Sequence, residues 1–341
     1  MLDAGLKARL QGGPLGFGGA PLGNLFRAVT EDEAIALVRH VRASGIGYFD
    51  TAPHYGNGLS EIRIGKALGG IARDEYVLSS KVGRLLVPDR AAPREQNGYV
   101  DVLPYRQRWD YSRSGTLRSI DESLQRLGVS RLDIVYIHDI DRDTHGTAYA
   151  QRFDEVMAGA VPALTELREA GTIGGFGLGV NDWRVCVDVL SRADLDIVLL
   201  AGRYTLLDQS ALSELLPVCE RRGVALVIGG PYNSGILATG AHPADGSAPY
   251  FNYAPAPPDL IARVAAIERV CTEFDVPLRA AALQFPRAHP AVASVIPGAR
   301  TSAEFDQNLA LATRAVPPAF WQALSDRGLI APDAPLPQGR S

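Results

Sequence analysis

Residues 115–138 read GTLRSIDESLQRLGVSRLDIVYIH, and this stretch decides the fold. Gly115 to Leu127 reads as a helix. Leu132 to His138 reads as a strand whose apolar run is covered on both faces, as in a parallel sheet flanked by helices. Working upstream, Tyr76 to Lys81 is a third strand, Glu61 to Leu68 a helix, Tyr48 to Asp50 a second strand and Leu15 to Gly18 a first. Thr30 to Glu33 is a capping box that opens a helix through Ala34, Leu37, Val38 and Val41. Downstream the rhythm continues. Helices are predicted at Phe153 to Ala170, Trp183 to Leu190 and Ala211 to Arg222, and strands at Ile173 to Val180, Ile197 to Ala201 and Ala225 to Gly229. Pro258 to Phe274 and Leu278 to Ala288 are two further helices, followed by a strand at Val292 to Pro297 and a helix at Thr301 to Leu311.

Eight strand–helix units with an extra helix before the last unit predict an α/β fold, a (β/α)8 TIM barrel forming one domain over residues 1–341. An open doubly wound sheet is the alternative, but no GxGxxG links a strand to a helix. Val82 to Arg113 and Pro231 to Pro257 read as long loops after strands, on the face where a barrel carries its chemistry.

The 341 residues are 46% hydrophobic and 21% charged, with a formal net charge of −4, a globular composition. No basic block predicts nucleic-acid binding. No apolar run matches a bilayer span, and the first residues lack a signal-peptide core. Cys186, Cys219 and Cys271 fit neither zinc nor disulfide spacing, so the expectation is a reduced, cytoplasmic setting without a metal. Oligomeric state is open at this level. Only Lys7, Lys66 and Lys81 among the 34 basic residues are lysine. A lysine kept at a strand end in so arginine-rich a chain points to a need for a tunable ammonium.

Strand ends carry Asp50, Lys81 and His138, and Tyr55 follows Asp50 in a turn. An acid, a phenol, an ammonium and an imidazole from adjacent units suit proton transfer coupled to hydride transfer at a carbonyl. A phenol that acts as a base near neutrality needs its pKa lowered from about 10, which a buried ammonium can do. Each residue also has a structural reading: Asp50 as a turn cap, Tyr55 packed on Pro53, Lys81 solvated, His138 in the core.

Tyr48-Phe49-Asp50-Thr51-Ala52-Pro53-His54-Tyr55-Gly56, with Ser60-Glu61, Ser80-Lys81 and Tyr136-Ile137-His138, resembles the aldo-keto reductase superfamily over nearly the whole chain. The resemblance implies a catalytic tetrad of Asp50, Tyr55, Lys81 and His138. Gly229-Gly230-Pro231-Tyr232-Asn233-Ser234-Gly235 and Ala281 to Pro286 are most similar to the branch of D-threo-aldose (L-fucose) 1-dehydrogenases, with pyridoxal 4-dehydrogenases close by. That implies oxidation of an aldose of the L-fucose, D-arabinose or L-galactose type to its lactone. The alternatives are oxidation of pyridoxal to 4-pyridoxolactone and a nucleotide-binding accessory subunit with slow reductase activity.

The resemblance also implies a nicotinamide dinucleotide held by Gly18, Gly19, Ala20, Asp50, Asn181, Gly229 to Gly235, Pro297, Gly298, Ala299, Arg300, Glu304, Gln307 and Asn308. Asp182 reads as an N-cap rather than a ligand. With Gly229 where the family often has a tyrosine, Tyr232 or Trp109 is the expected nicotinamide partner. Gly298, Ala299 and Glu304 replace groups that favour a 2′-phosphate, so NAD is expected, with NADP as the alternative. Expected substrate contacts are His54, Tyr55, Trp109, His138 and Asp139, with Arg203 and Asn233 as further sugar partners.

Overall fold

The computed structural model describes residues 2–338. Eight parallel strands run in sequence order around a barrel: β1 (Phe17–Gly18), β2 (Tyr48–Asp50), β3 (Val77–Val82), β4 (Ile134–His138), β5 (Gly175–Val180), β6 (Ile197–Ala201), β7 (Ala225–Gly229) and β8 (Val292–Ile296). Closure between β8 and β1 rests on Gly16 N donating to Val295 O (2.9 Å) and Gly18 N to Pro297 O (3.1 Å). The (β/α)8 architecture expected from the sequence is therefore present, with the two consecutive helices Pro258–Glu273 and Leu278–Gln284 before β8.

Side chains alternate along each strand. Tyr48, Val77, Ile134, Tyr136, Ile197, Leu199, Val227 and Ile296 fill the barrel interior, while Phe49, Leu78, Val135, Ile137 and Leu178 pack outward against the helices. An element the sequence reading lacked, helix Ala4–Gln11, closes the bottom: Leu2, Leu6 and Leu10 join the interior cluster. Full burial of one such leucine contributes roughly 1.5–3 kcal/mol, enough to hold a short helix of low intrinsic stability.

Helix starts follow their predicted chemistry. Thr30 and Glu33 form both bonds of the capping box, and Asp182 accepts from Arg184 N as the N-cap of Trp183–Leu190. Two helices differ from expectation. The segment Tyr149–Glu169 is continuous but contains a π-turn at Val156–Ala160. Pro162 follows one residue beyond it, and its ring and missing N–H disfavour regular α geometry across that turn. The segment expected from Ala211 becomes helical only at Leu215. Both long loops fold in part as antiparallel hairpins, Arg84–Pro88 with Tyr105–Trp109 and Tyr250–Phe251 with Ala254–Pro255. No helix of the described residues is long and apolar enough to cross a membrane.

Candidate active site

Period-two alternation stacks the interior in layers. Tyr48, Ser79 and Tyr136 meet through their hydroxyls inside the barrel; Asp50, Lys81 and His138, each two residues further along the same strands, point the same way nearer the open end. Lys81 Nζ donates to Asp50 Oδ2 (2.6 Å) and to the Thr51 carbonyl (2.8 Å), and Ser79 Oγ donates to Asp50 Oδ1 (2.6 Å). The Tyr48 hydroxyl bridges Ser79 Oγ and the Tyr136 hydroxyl, both at 3.1 Å. Lys81 and Asp50 are almost wholly buried. Such a pair is held by geometry and additional bonds, since desolvation offsets much of its Coulomb attraction. Burial raises the Asp50 carboxyl pKa, and the contacts with Lys81 and Ser79 pull it back.

Tyr55 is placed by backbone packing. Its amide donates to Ala52 O at 3.1 Å, closing a turn. A Cβ on Gly23 would come within 2.4 Å of the Tyr55 carbonyl carbon, so the first loop and the Tyr55 turn can meet only because position 23 is glycine. The Tyr55 ring lies edge-on to His138 (centroids 6.1 Å, 84°) and stacks on Tyr99 at 6.0 Å, with Lys81 Nζ 4.7 Å from its centroid. The structure thus gathers all four predicted residues.

The expected lowering of the phenol is absent from this geometry. Burial raises Tyr55 well above the ordinary tyrosine value, and Asp50, Tyr99, Asp139 and Tyr253 add to the rise. The ammonium lies by the ring and is engaged by Asp50 and Thr51. His138 is pushed well below the ordinary histidine value by burial and by Lys81 and Arg84, so it is neutral. His54 is lowered to about 3 by burial, Arg84 and His138.

Above this layer opens a cavity of about 450 Å3. Tyr55, Lys81, His138, His54, Asp139 and Thr144 line it, together with the smaller or apolar Ala20, Gly179, Val180, Leu199 and Ala201 and with Asn181. Leu25, Phe26, Asn97, Gly98, Tyr99 and Tyr253 complete the wall. These last residues sit at loop tips, where no periodicity marks them. Phe26 is held there by its amide bond to Gly98 O (2.8 Å), and Tyr253 by its amide bond to Ser234 Oγ (3.0 Å).

The small residues of the lining leave space beside Lys81. Gly179 has no side chain, and a Cβ there would meet Lys81 Cε at 3.4 Å; Asn181 offers an amide beside Ala201. Gly18 and Gly19 lie against β8 and β2, through the Gly18–Gly298 bridge and the bond from Gly19 N to Asp50 O (2.8 Å). Glu304 turns back to accept from Arg300 N (2.7 Å), and Arg300 Nη2 donates to Leu25 O (3.2 Å). Arg279 donates to both Gln307 Oε1 and Asn308 Oδ1 at 2.9 Å, and the Tyr232 hydroxyl to Asn308 at 2.6 Å.

Several expected contacts fall elsewhere. Trp109 does not line the cavity; its ring lies under the Arg84 guanidinium (3.8 Å) and stacks on Tyr111. Tyr232 is drawn to Asn308 and does not line the cavity, whose wall carries the rings of Phe26, Tyr99 and Tyr253 instead. Gly229 lies behind Leu199 and Ala201. The Asn233 side chain binds Gly202 O and Thr205 Oγ1, and Arg203 binds Asn252. Neither side chain lines the cavity. Pairing within the hairpin and the loop explains these differences, because each side chain found a nearer partner.

A buried acid–lysine pair, a phenol and an imidazole at a barrel's open end are chemically suited to moving a proton in step with hydride transfer. The model of the aldo/keto reductase family matches residues 14–326. The chain belongs to this family and is an NAD(P)-dependent oxidoreductase of the aldo-keto reductase type. It is 44% identical over 327 residues to pyridoxal 4-dehydrogenase of Microbacterium luteolum, covering 93% of this chain and 94% of that one. It is 39% identical over 323 residues to D-threo-aldose 1-dehydrogenase of a Pseudomonas species, covering 93% and 94%. Among solved structures it is similar to the holo form of aldo-keto reductase AKR11C1 from Bacillus halodurans, with a TM-score of 0.71, 26% identity and coverage of 95% and 94%.

Proposed function

We propose that the protein oxidises an aldose at its anomeric carbon to the aldonolactone, with NAD as the preferred nucleotide. The observation that carries this is the chemistry of the cavity. His54, Asn97, Asp139, Thr144 and Asn181 surround the tetrad with hydroxyl partners, and among the described residues the only cation on the wall, Lys81, is engaged by Asp50. Such a wall suits a neutral polyol and disfavours a phosphorylated one.

A bound nicotinamide supplies the hydride acceptor and, when oxidised, a positive charge that favours a phenolate nearby. Asn181 would hold its carboxamide, while Gly18, Gly19, Gly298, Ala299 and Arg300 would approach the phosphate-bearing part. Within that frame Tyr55 takes the proton of the anomeric hydroxyl, the C1–H bond breaks as hydride, and a C1=O bond forms. Neutral His138 orients the reacting oxygen. Asp50 holds Lys81, and Lys81 faces the Tyr55 ring. General base catalysis of this kind contributes roughly 10²–10⁴ in rate. Arg300 is tied to Leu25 and the Glu304 carboxylate stands at Arg300 N, an arrangement that favours a ribose hydroxyl over a 2′-phosphate.

A second reading, pyridoxal as substrate, is favoured by the exposed rings of Phe26 and Tyr253 on the cavity wall, which suit a planar heteroaromatic. Initial rates with L-fucose, D-arabinose, L-galactose and pyridoxal, each with NAD and with NADP, decide between them. The aldose reading expects kcat/KM for at least one sugar to exceed that for pyridoxal; the reverse order overturns it. Comparable rates with both nucleotides would defeat the NAD preference.

A further inference from the structure

A second carboxylate stands in the cavity that the proton-transfer scheme does not use. Asp139 directly follows His138, and its Oδ2 is 3.5 Å from His138 Nε2. Its backbone is left-handed, with φ of 50°. Aspartate tolerates that region better than most residues, and strain of this kind tends to persist where the surroundings enforce it. Here they do: Asp139 N donates to Gly179 O (3.0 Å) and Arg84 Nη2 donates to Asp139 Oδ2 (2.5 Å).

Arg84 is itself fixed from behind. Arg84 and Trp109 are opposite each other across the first hairpin, and Gln107 lies on the same face two residues along. The guanidinium lies over the Trp109 ring, and Nη1 donates to Gln107 Oε1 (3.1 Å). The same oxygen accepts from His54 Nδ1 (2.9 Å), so the His54 ring is held with its Nδ1 protonated. Beneath Trp109, the Tyr111 hydroxyl donates to the His138 carbonyl (2.7 Å). The hairpin therefore holds the Asp139 carboxylate through Arg84, while Tyr111, just past the hairpin, holds the backbone of the neighbouring imidazole residue.

An oxygen bound at His138 Nε2 has the Asp139 carboxylate beside it. In a cyclic aldose the ring oxygen can only accept, so the nearest neighbouring donor is the hydroxyl on C2. We infer that Asp139, clamped by Arg84, is the specificity residue that accepts a hydrogen bond from the hydroxyl on the carbon next to the reacting carbon, and that Arg84 is its positioning residue. This rests on the aldose reading and names the feature of the substrate the site demands: an α-hydroxyl.

The test compares substrates that differ only in that group. D-arabinose and 2-deoxy-D-ribose form one such pair, L-fucose and 2-deoxy-L-fucose another. In the unaltered enzyme the deoxy sugar is expected to lose about 10- to 100-fold in kcat/KM, the range for a hydrogen bond to a charged group. Asp139→Ala should bring the ratio within a few fold of one, by lowering activity on the parent sugar and sparing the deoxy sugar. Asp139→Asn, which tolerates the left-handed backbone, should give an intermediate ratio, as should Arg84→Met. Equal rates for the two sugars in the unaltered enzyme, or an unchanged ratio in Asp139→Ala, overturn the inference. Equal losses on both sugars would make Asp139 a proton acceptor for the reacting hydroxyl and likewise overturn it. If no aldose is oxidised at all, the aldose reading falls first; turnover with an unchanged ratio removes this inference alone.

Discussion

The two halves of the barrel end differently. Strands β2 to β4 carry Asp50, Lys81 and His138–Asp139 at or near their ends, all charged or titratable; Lys81 is bound to Asp50 across adjacent strands, and Asp139 stands 3.5 Å from the His138 imidazole. Strands β5 to β7 finish at or next to Asn181, Ala201 and Gly229, and Gly298 follows β8. In the proposed reading one half carries the reacting groups and the other makes room. The reacting half needs partners because a lone buried charge is costly, whereas the other half needs only missing side chains. Its contribution is therefore invisible in any inventory of polar contacts.

The sharpest way to break this comparison is Tyr55→Phe. It should lower kcat by roughly 10²–10⁴ and leave the nucleotide dissociation constant, read by fluorescence titration, within about twofold. A large change in affinity with modest change in kcat would put Tyr55 on the space-giving side.

Lys81→Met should lower activity as severely and also destabilise the fold by about 3–5 kcal/mol, because Asp50 is left buried without its partner. Chemical denaturation measures this, and Asp50→Asn introduced into Lys81→Met should recover part of the loss. A single variant as stable as the parent would mean that the pair is not coupled.

On the opposite half, Ala201→Leu fills cavity space. Overpacking costs of about 1–3 kcal/mol should appear as nucleotide binding weakened by roughly 5- to 150-fold, with little effect on the proton-transfer groups. Unchanged affinity would show that the ring does not use this wall.

The smallest effect concerns acid stability. The His54 pKa is lowered to about 3, against about 6.5 when unfolded. Between those values the unfolded chain holds the extra proton, so stability falls as pH drops below 6.5, by at most about 1.4 kcal/mol per pH unit for this residue. His54→Gln should flatten the dependence between pH 6.5 and 5 by up to that amount. An identical slope in both proteins would show that His54 gains its proton without cost in the fold.

Much of the reacting half was legible in the sequence. Asp50, Lys81 and His138 stand at strand ends in consecutive units, and barrel geometry sends strand ends to one place. The capping residues Thr30 and Asp182 were equally readable, since a cap acts within a few residues of itself. The partners that Trp109 and Tyr232 take, Arg84 and Asn308, were not legible because they lie far off in the chain. Arg84 and Tyr253 gave no local signal at all. Helix Ala4–Gln11 went unread because its value lies in the barrel bottom that it closes.

By itself the sequence determined the alternation of strand and helix, the closure count of eight and the chemical identity of the groups at the strand ends, because these depend on periodicity and short-range bonding. Only the tertiary structure decided which side of Lys81 faces the phenol, which rings line the cavity and how Arg84 holds Asp139. Those are contacts between residues far apart in the chain, selected by packing and desolvation after the barrel has closed.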